Sequence, residues 1–365
     1  MPHIKIALFI IDLNSGGAEW QLARLAESIH ENDMFSVVVI GMNGRGEVYR
    51  WLKSREIPTY CLDYDRPFQV WRLLKLFRIF RAYQPDILHT WMFHANIMGK
   101  IVGKLCGIRH IVAALRTAEK ERSYHVAIEK NTAFLNDRIF CNSIGVRDFA
   151  AERGFPEEKL KVIPNSFDPT LFHFTRHRYN HGEPFKILYL GRINPQKGLE
   201  YLMDAAAQLK SRNRLFLIDL TGKADAPYRN RLGKQIEKLG LKPVVSWEPP
   251  VKHTRVQGLL AQYNALILPS LWEGMPNVIM EAFASGLPVI ATRIGGTKDL
   301  VVHEQTGLLA DPADSSELAE KIGYAMDNYE KMQELAENAR EHLLSTYSHP
   351  SIRDVYFELY ESLAP

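Results

Sequence analysis

A chain of 365 residues exceeds the roughly 250 to 300 at which a single hydrophobic core stops growing, so two domains of comparable size are expected. Apolar residues at 46%, charged residues at 24% and aromatics at 10% exclude a disordered chain, and a net charge of +3 is too small to imply a general nucleic-acid binder. The charge is uneven: residues 1–165 carry 23 Lys and Arg against 18 Asp and Glu, and the remainder 22 against 24, a polarity that suits either an anionic surface or acceptor at the front half or a solvated basic face.

The apolar run at 4–11 lacks a basic leader and a small-residue cleavage site and leads straight into Asn14-Ser15-Gly16-Gly17, so it reads as a buried strand and not as a signal peptide. Short β-rich runs then alternate with helical patterns, the signature of βαβ units and parallel sheets. Strands are expected at 5–11, 36–42, 59–62, 87–90, 111–115, 138–142 and 160–163, with the clearest helix at 18–29. The stretch 164–184, with Asn165, Pro169, several His and Arg residues and Gly182, breaks the alternation and reads as a linker. A second series follows, with strands at 186–190, 214–221, 244–247, 265–269 and 289–292. Its helices are expected at 199–210, 228–239 and 275–284, and long polar-periodic helices run from 315 to 347. The implied architecture is α/β: two Rossmann-like domains, 1–168 and 169–348, facing across a cleft, with a C-terminal helix at 349–365 packing back on the first.

Cys61, Cys106 and Cys141 are odd in number, widely separated and without metal-ligand spacing, which fits a reducing cytoplasm. No apolar stretch reaches the roughly 18 residues that span a bilayer, so membrane contact is expected to be peripheral only.

Three segments carry chemistry. Asn14-Ser15-Gly16-Gly17-Ala18-Glu19 lies between the first strand and the first helix, where Gly16 and Gly17 let backbone N–H groups approach a phosphate or sugar; as a tight turn alone it needs no ligand. It is not the Gly-x-Gly-x-x-Gly dinucleotide fingerprint, and Asp12 comes too early to be the ribose acid. Gly191-Arg192-Ile193-Asn194-Pro195-Gln196-Lys197-Gly198 again follows a strand. Arg192 offers a planar fork and Lys197 a mobile point charge to a departing nucleoside diphosphate, the alternative being a solvated pair of surface charges.

The third segment runs from Pro269 to Ala282. Glu273 precedes its helix and Glu281 sits about two turns inside, so the two carboxylates reach different parts of one ligand, where each can accept hydroxyl protons from a sugar or a ribose. Met275-Pro276-Asn277 starts the helix and, with Gly274, brings backbone N–H groups other than that of proline to the same place. An acidic pair on a helix is ordinarily a solvated face. His89 and His94 follow the fourth strand, at the carboxyl edge where ligands bind, and suit either deprotonation of an acceptor hydroxyl or a structural hydrogen bond. Asp63-Tyr64-Asp65 spells a metal-binding Asp-x-Asp but lies far from the other motifs, and no convincing metal cluster is found.

Together these segments resemble the family 4 glycosyltransferases, retaining enzymes of the GT-B fold. The matching pieces are Gly16-Gly17-Ala18-Glu19, Val162 to Asp168, Gly191-Arg192 with Lys197-Gly198, and the Glu273 to Glu281 segment. Gly286-Leu287-Pro288-Val289-Ile290-Ala291, Gly295-Gly296-Thr297-Lys298-Asp299 and Thr306-Gly307-Leu308-Leu309 complete the order. The resemblance implies a nucleotide-sugar donor, a UDP-sugar being favoured, with no metal and no cofactor. It places Glu273 on donor-sugar hydroxyls, Glu281 on the ribose and Arg192 and Lys197 on the diphosphate; Gly191, Gly274, Met275, Pro276, Asn277 and Asn165 complete the donor-binding set, and Gly16 and Gly17 close over it. Many relatives end the fifth strand with a histidine, whereas this chain has Arg116. That arginine reaches a donor hydroxyl, the leaving phosphate or a donor carboxylate, or pairs with Glu119 or Glu121. Arg116 and His94 join Glu273, Arg192 and Lys197 as candidate catalytic residues.

Residues 66–83 contain five basic residues and no acid, with Val70, Leu73, Leu74, Phe77 and Phe80 at helical spacing and Trp71, Leu76 and Ile79 as surplus apolar surface. A helix packed on the first sheet with its cations in water is one reading. An interfacial helix on anionic lipid is the other, and implies a lipid-linked acceptor and a place at the inner face of the membrane. The expected activity is sugar transfer to a glycan or lipid-linked acceptor in surface polysaccharide or glycoconjugate synthesis, with no nucleic-acid partner. A hydrolysing nucleotide-sugar epimerase, a phosphorylase or a catalytically silent scaffold on the same fold are the rivals, and a dinucleotide-dependent oxidoreductase is disfavoured by the missing fingerprint.

Overall fold

The run Ile4–Asp12 forms strand β1, and Ile6, Ala7, Leu8, Phe9 and Ile10 within it are all buried, as a parallel strand covered on both faces requires. The computed structural model describes residues 3–64, 71–118 and 122–364, and the chain divides into two units, 1–166 with 349–365 and 167–348. In the first unit β1 is followed by α1 (Gly17–His30), β2 (Phe35–Asn43), α2 (Glu47–Ser54), β3 (Thr59–Cys61), α3 (Trp71–Tyr83), β4 (Ile87–Trp91), α4 (Phe93–Leu105) and β5 (His110–Leu115). Then come α5 (Ser123–Asn131), β6 (Arg138–Cys141), α6 (Ile144–Glu152) and β7 (Leu160–Val162). The strands pair in parallel in the order β3-β2-β1-β4-β5-β6-β7, which reverses direction between β1 and β4, the switch point outside which ligands bind in doubly wound sheets.

The second unit contains β8 (Phe185–Leu190), α7 (Leu199–Ser211), β9 (Phe216–Thr221), α8 (Ala226–Lys238), β10 (Val245–Glu248), α9 (Val256–Leu260), β11 (Ala265–Leu268) and α10 (Asn277–Ser285). It ends with β12 (Val289–Thr292), α11 (Gly295–Leu300), β13 (Leu308–Ala310), α12 (Ser315–Asp327) and α13 (Tyr329–Thr346). Its parallel order β10-β9-β8-β11-β12-β13 reverses between β8 and β11. The last helix, α14 (His349–Leu363), belongs to the first unit, where Ile352, Tyr356 and Tyr360 are buried with β1 and with the Leu22, Ala23, Leu25, Ala26 and Ile29 stripe of α1.

Four expectations need correction. Strand β13 went unread, since three residues carry too little periodicity to announce themselves. Much of 164–184 is no spacer: Phe167 and Phe172 are core residues of the second unit, and the His177 N–H donates to Gln333 Oε1 at 2.8 Å. Helix α10 begins at Asn277, because Pro276 occupies its cap in extended backbone. The helix in 66–83 is turned differently from the expected stripe. Leu76 and Phe80 are buried and Leu73 and Ile79 packed beside them, whereas Leu74 and Phe77 are exposed with Trp71; Arg66 and Val70 lie outside the described residues. Apolar residues run round most of α3, so spacing alone does not phase it.

Candidate functional site

Strands β8 and β11 lie side by side, so the loops that leave their carboxyl ends meet within the second unit. Gly191-Arg192 follows β8, and a short turn at Pro195–Lys197 leads through Gly198 into α7. Gly198 has a φ of +59°, and a Cβ there would stand 2.3 Å from the Pro269 carbonyl oxygen; only glycine lets the two loops close. The Leu271 N–H donates to the Gln196 carbonyl at 2.8 Å, and Gln196 Nε2 to the Trp272 carbonyl at 2.8 Å.

This stitching brings Lys197 to Glu273. Lys197 Nζ donates to Glu273 Oε1, with the two side chains only 11% and 9% exposed, and Ser270 Oγ donates to the same oxygen at 2.7 Å. Two opposite charges taken out of water hold one another in place, so neither is a solvated surface group. Arg192 is the exposed cation of the same loop, its turn fixed by the Tyr189 hydroxyl, which donates to the Arg192 carbonyl at 2.5 Å.

Glu273 leads into Gly274, Met275 and Pro276, all buried, and then into the amino end of α10, whose first N–H groups carry the partial positive charge of a helix start. Gly296 at the start of α11 backs this segment so closely that a Cβ would lie 1.4 Å from the Gly274 carbonyl oxygen. Glu281, further along α10, is mostly buried, with Oε1 3.3 Å from His253 Nε2. Sequence reasoning missed His253, Ser270, Tyr189 and Gly296 as parts of this arrangement. Ser270 and Gly296 sat inside the quoted motifs, whereas His253, in the turn after β10, carries no sequence signal.

In the first unit, Gly16 caps α1 in extended backbone and Gly17 is its first residue, while the Glu19 carboxylate folds over Gly16 so that a Cβ there would meet Oε2 at 2.3 Å. Arg116 leaves β5 with its guanidinium 4.5 Å above the Trp91 ring and donates to Asn165 Oδ1, so two candidates 49 residues apart are neighbours. Burial lowers the Arg116 pKa, yet guanidinium stays charged. Glu119 and Glu121, the alternative partners, lie outside the described residues. His94 is the second residue of α4, beside the Phe93 and His125 rings; partial burial, then the Arg122 charge, lower its pKa.

His89 does not reach the carboxyl edge. It lies inside β4, fully buried, with Nδ1 2.7 Å from the Tyr360 hydroxyl, and burial pushes its pKa down to about 3. It is a neutral core group. Asp63 pairs with Arg45 at 2.8 Å and Lys75 at 3.9 Å, and Asp65 lies outside the described residues. Among the described residues no three His, Cys, Asp or Glu side chains are grouped to hold a metal, and no helix is long and apolar enough to cross a membrane.

Comparison with known proteins gives this arrangement its context. Residues 15–171 match the family model described as Glycosyltransferase Family 4, and residues 173–342 that of Glycosyl transferases group 1. The chain is 27% identical to the lipopolysaccharide core biosynthesis glycosyltransferase LpsE of Rhizobium meliloti, over 95% of this chain and 96% of that one. It is 24% identical to the UDP-Gal:alpha-D-GlcNAc-diphosphoundecaprenol alpha-1,3-galactosyltransferase of Escherichia coli, over 83% of each. Among solved structures, Anabaena HepE in complex with UDP and glucose superposes with a TM-score of 0.85 at 23% identity, covering 99% of this chain and 100% of that one. Sucrose-phosphate synthase from Thermosynechococcus elongatus follows at 0.83 and 21%, covering 99% of each. These likenesses show the fold, two Rossmann-like domains of the GT-B class, and the paired family models span nearly the whole chain: it belongs to the family 4 glycosyltransferases and is an enzyme.

Proposed function

We propose that the enzyme moves a sugar from a nucleotide-sugar, a UDP-sugar by preference, to a glycan or lipid-linked acceptor in surface polysaccharide or glycoconjugate synthesis, with retention of anomeric configuration and without a metal. The observation that carries the donor reading is the buried Lys197–Glu273 pair beside exposed Arg192 and the start of α10. Cations and the N–H groups of a helix start suit a diphosphate, and carboxylates suit hydroxyls. Glu273 binds the donor sugar and Glu281 the ribose, while Arg192, Lys197 and the backbone N–H groups of Gly274, Met275 and Asn277, with Pro276 fixing the turn between them, take up charge as the nucleoside diphosphate leaves.

The acceptor oxygen forms its bond to the anomeric carbon on the face from which the diphosphate departs, and no side chain serves as a covalent nucleophile. Positioning and charge stabilisation supply the acceleration. Gly16, Gly17, Arg116, Asn165 and His94 are the candidate site residues of the first unit. Crystals of HepE with UDP and glucose, and the UDP-Gal donor and lipid-diphosphate acceptor named for the E. coli relative, support the choice of donor and acceptor class. The cations of α3 support a cytoplasmic position, peripheral at the inner face of the membrane.

A thermal-shift panel of UDP, GDP, ADP and their sugars tests the donor. UDP at about 100 times its Kd should stabilise by about 2.7 kcal/mol, and no response to any nucleotide overturns the reading. Turnover of the stabilising sugar with and without EDTA, and the anomeric configuration of the product by NMR, test the rest; inversion or loss of activity in EDTA overturns the corresponding part.

A further inference from the structure

We infer that the face formed by α3 and α4 is the surface on which the enzyme rests against an anionic phospholipid bilayer. The inference builds on the peripheral placement proposed above and gives that placement a surface. It starts from the turn of α3 that its spacing did not reveal. With Leu76 and Phe80 inward, Trp71, Leu74 and Phe77 stand 64%, 56% and 37% exposed. On α4, Ile101 and Leu105 are 47% and 72% exposed. These five side chains, with Leu73 and Val102, line one groove of about 360 Å³. Single exposed leucines are ordinary, but a contiguous apolar patch marks a partner or a membrane.

The charge around the groove selects the partner. Residues 66–118 hold nine Lys and Arg, of which Lys100 is buried, Arg116 is partly buried and Arg66 lies outside the described residues, and one acid, Asp86, whose carboxylate accepts from the Lys5 backbone N–H at 2.8 Å. Lys75, Arg78 and Arg81 on α3 and Lys104 on α4 are exposed beside the apolar residues. Asp63, the acid that meets Lys75, is already held by Arg45. A second copy docking here would set these cations against their own kind, an arrangement that self-association through one face disfavours. A bilayer accepts both halves of the surface: Leu74, Phe77, Ile101 and Leu105 enter the acyl boundary, Trp71 sits at headgroup depth, and the cations meet anionic headgroups.

Vesicle flotation of the full chain decides the matter, using phosphatidylcholine vesicles with and without phosphatidylglycerol. Wild type should float with the anionic vesicles. The Arg78→Glu/Lys104→Glu variant should bind at least roughly thirtyfold more weakly, from a contribution near fivefold per cation removed and further repulsion from each added carboxylate. A Leu74→Ser/Ile101→Ser/Leu105→Ser variant should also lose binding, and phosphatidylcholine alone should retain little of any chain. Light scattering follows association in parallel. Equal flotation of all three proteins, no flotation of wild type, or a wild-type dimer that the serine variant converts to monomer each overturns the inference, the last by reassigning the face to self-association. The thermal shift given by UDP should be the same in all three chains; its absence in wild type counts against the donor reading and leaves the lipid result to stand by itself.

Discussion

Lys197 and Glu273, 76 residues apart in sequence, form a buried ion pair between the loops that follow β8 and β11, and Ser270 donates to the same carboxylate oxygen. The pair links fold and site, because removing one member leaves the other charge stranded out of water. Lys197→Ala and Glu273→Ala should therefore each lose about 3–5 kcal/mol of stability in urea unfolding as well as most turnover. Glu273→Gln keeps a hydrogen-bonding group and should separate the effects, with donor turnover down by at least about a hundredfold. The apolar double variant Lys197→Met/Glu273→Leu should regain stability and stay inactive. Near-normal turnover in Glu273→Gln would remove this carboxylate from the donor site.

Gly296 sets the position of the segment between Glu273 and α10. Its missing Cβ would overlap the Gly274 carbonyl oxygen at 1.4 Å, and backbone cannot yield as a side-chain tip can. Gly296→Ala should weaken UDP binding in calorimetry by about tenfold or more, the scale on which displacement of positioning groups is felt. Gly233, in α8 with open space around it, is the control: Gly233→Ala should leave UDP binding unchanged and stabilise the chain by about 0.5–1 kcal/mol.

His253 holds Glu281 at 3.3 Å and meets the Phe172 ring edge-on. If Glu281 takes the ribose, His253→Ala should raise the donor KM roughly three- to tenfold, the worth of one typical hydrogen bond, with kcat little changed. The same variant should lose discrimination between UDP and 2′-deoxy-UDP. Unchanged KM and unchanged discrimination would separate His253 from the ribose.

Arg116 stacks on Trp91 and donates to Asn165, which makes the planar guanidinium rather than charge alone the relevant property. Arg116→Lys should accordingly lose at least about tenfold in kcat/KM while Tm falls little, and Asn165→Ala should move kcat/KM in the same direction. Full activity in Arg116→Lys would reduce its role to a point charge.

His89 gives a stability signature. Its pKa falls from 6.5 to about 3 on folding through burial, so between those values the unfolded chain binds a proton that the native chain does not. Stability contributed by neutral His89 is complete above pH 6.5 and is lost as pH falls toward 3, at up to about 1.4 kcal/mol per pH unit. His89→Phe should flatten that part of the stability curve in denaturant titrations. A slope identical to wild type would show that His89 is not the group responsible.

Most of the fold was legible because each β run is short, apolar and followed by a helical pattern, and local periodicity carries that information. β13 escaped with three residues, and α3 was misphased because apolar side chains surround it on most sides. His89 looked like an edge residue until β4 extended to Trp91 and enclosed it. At the site, the residue types at Arg192, Lys197, Glu273 and Glu281 carry the proposed reading of a diphosphate and hydroxyls, yet nothing local announced His253.

By itself the sequence determined the two-domain α/β class, the position of each motif at a strand's carboxyl end and the chemistry those residue types allow, since all of these follow from local pattern and spacing. Tertiary structure alone decided that Lys197 and Glu273 neutralise one another, that Arg116 meets Asn165, and which face of α3 is left to solvent. Those outcomes depend on which strands become neighbours and on how a helix rolls against a sheet, and both are settled by packing among residues far apart in the chain.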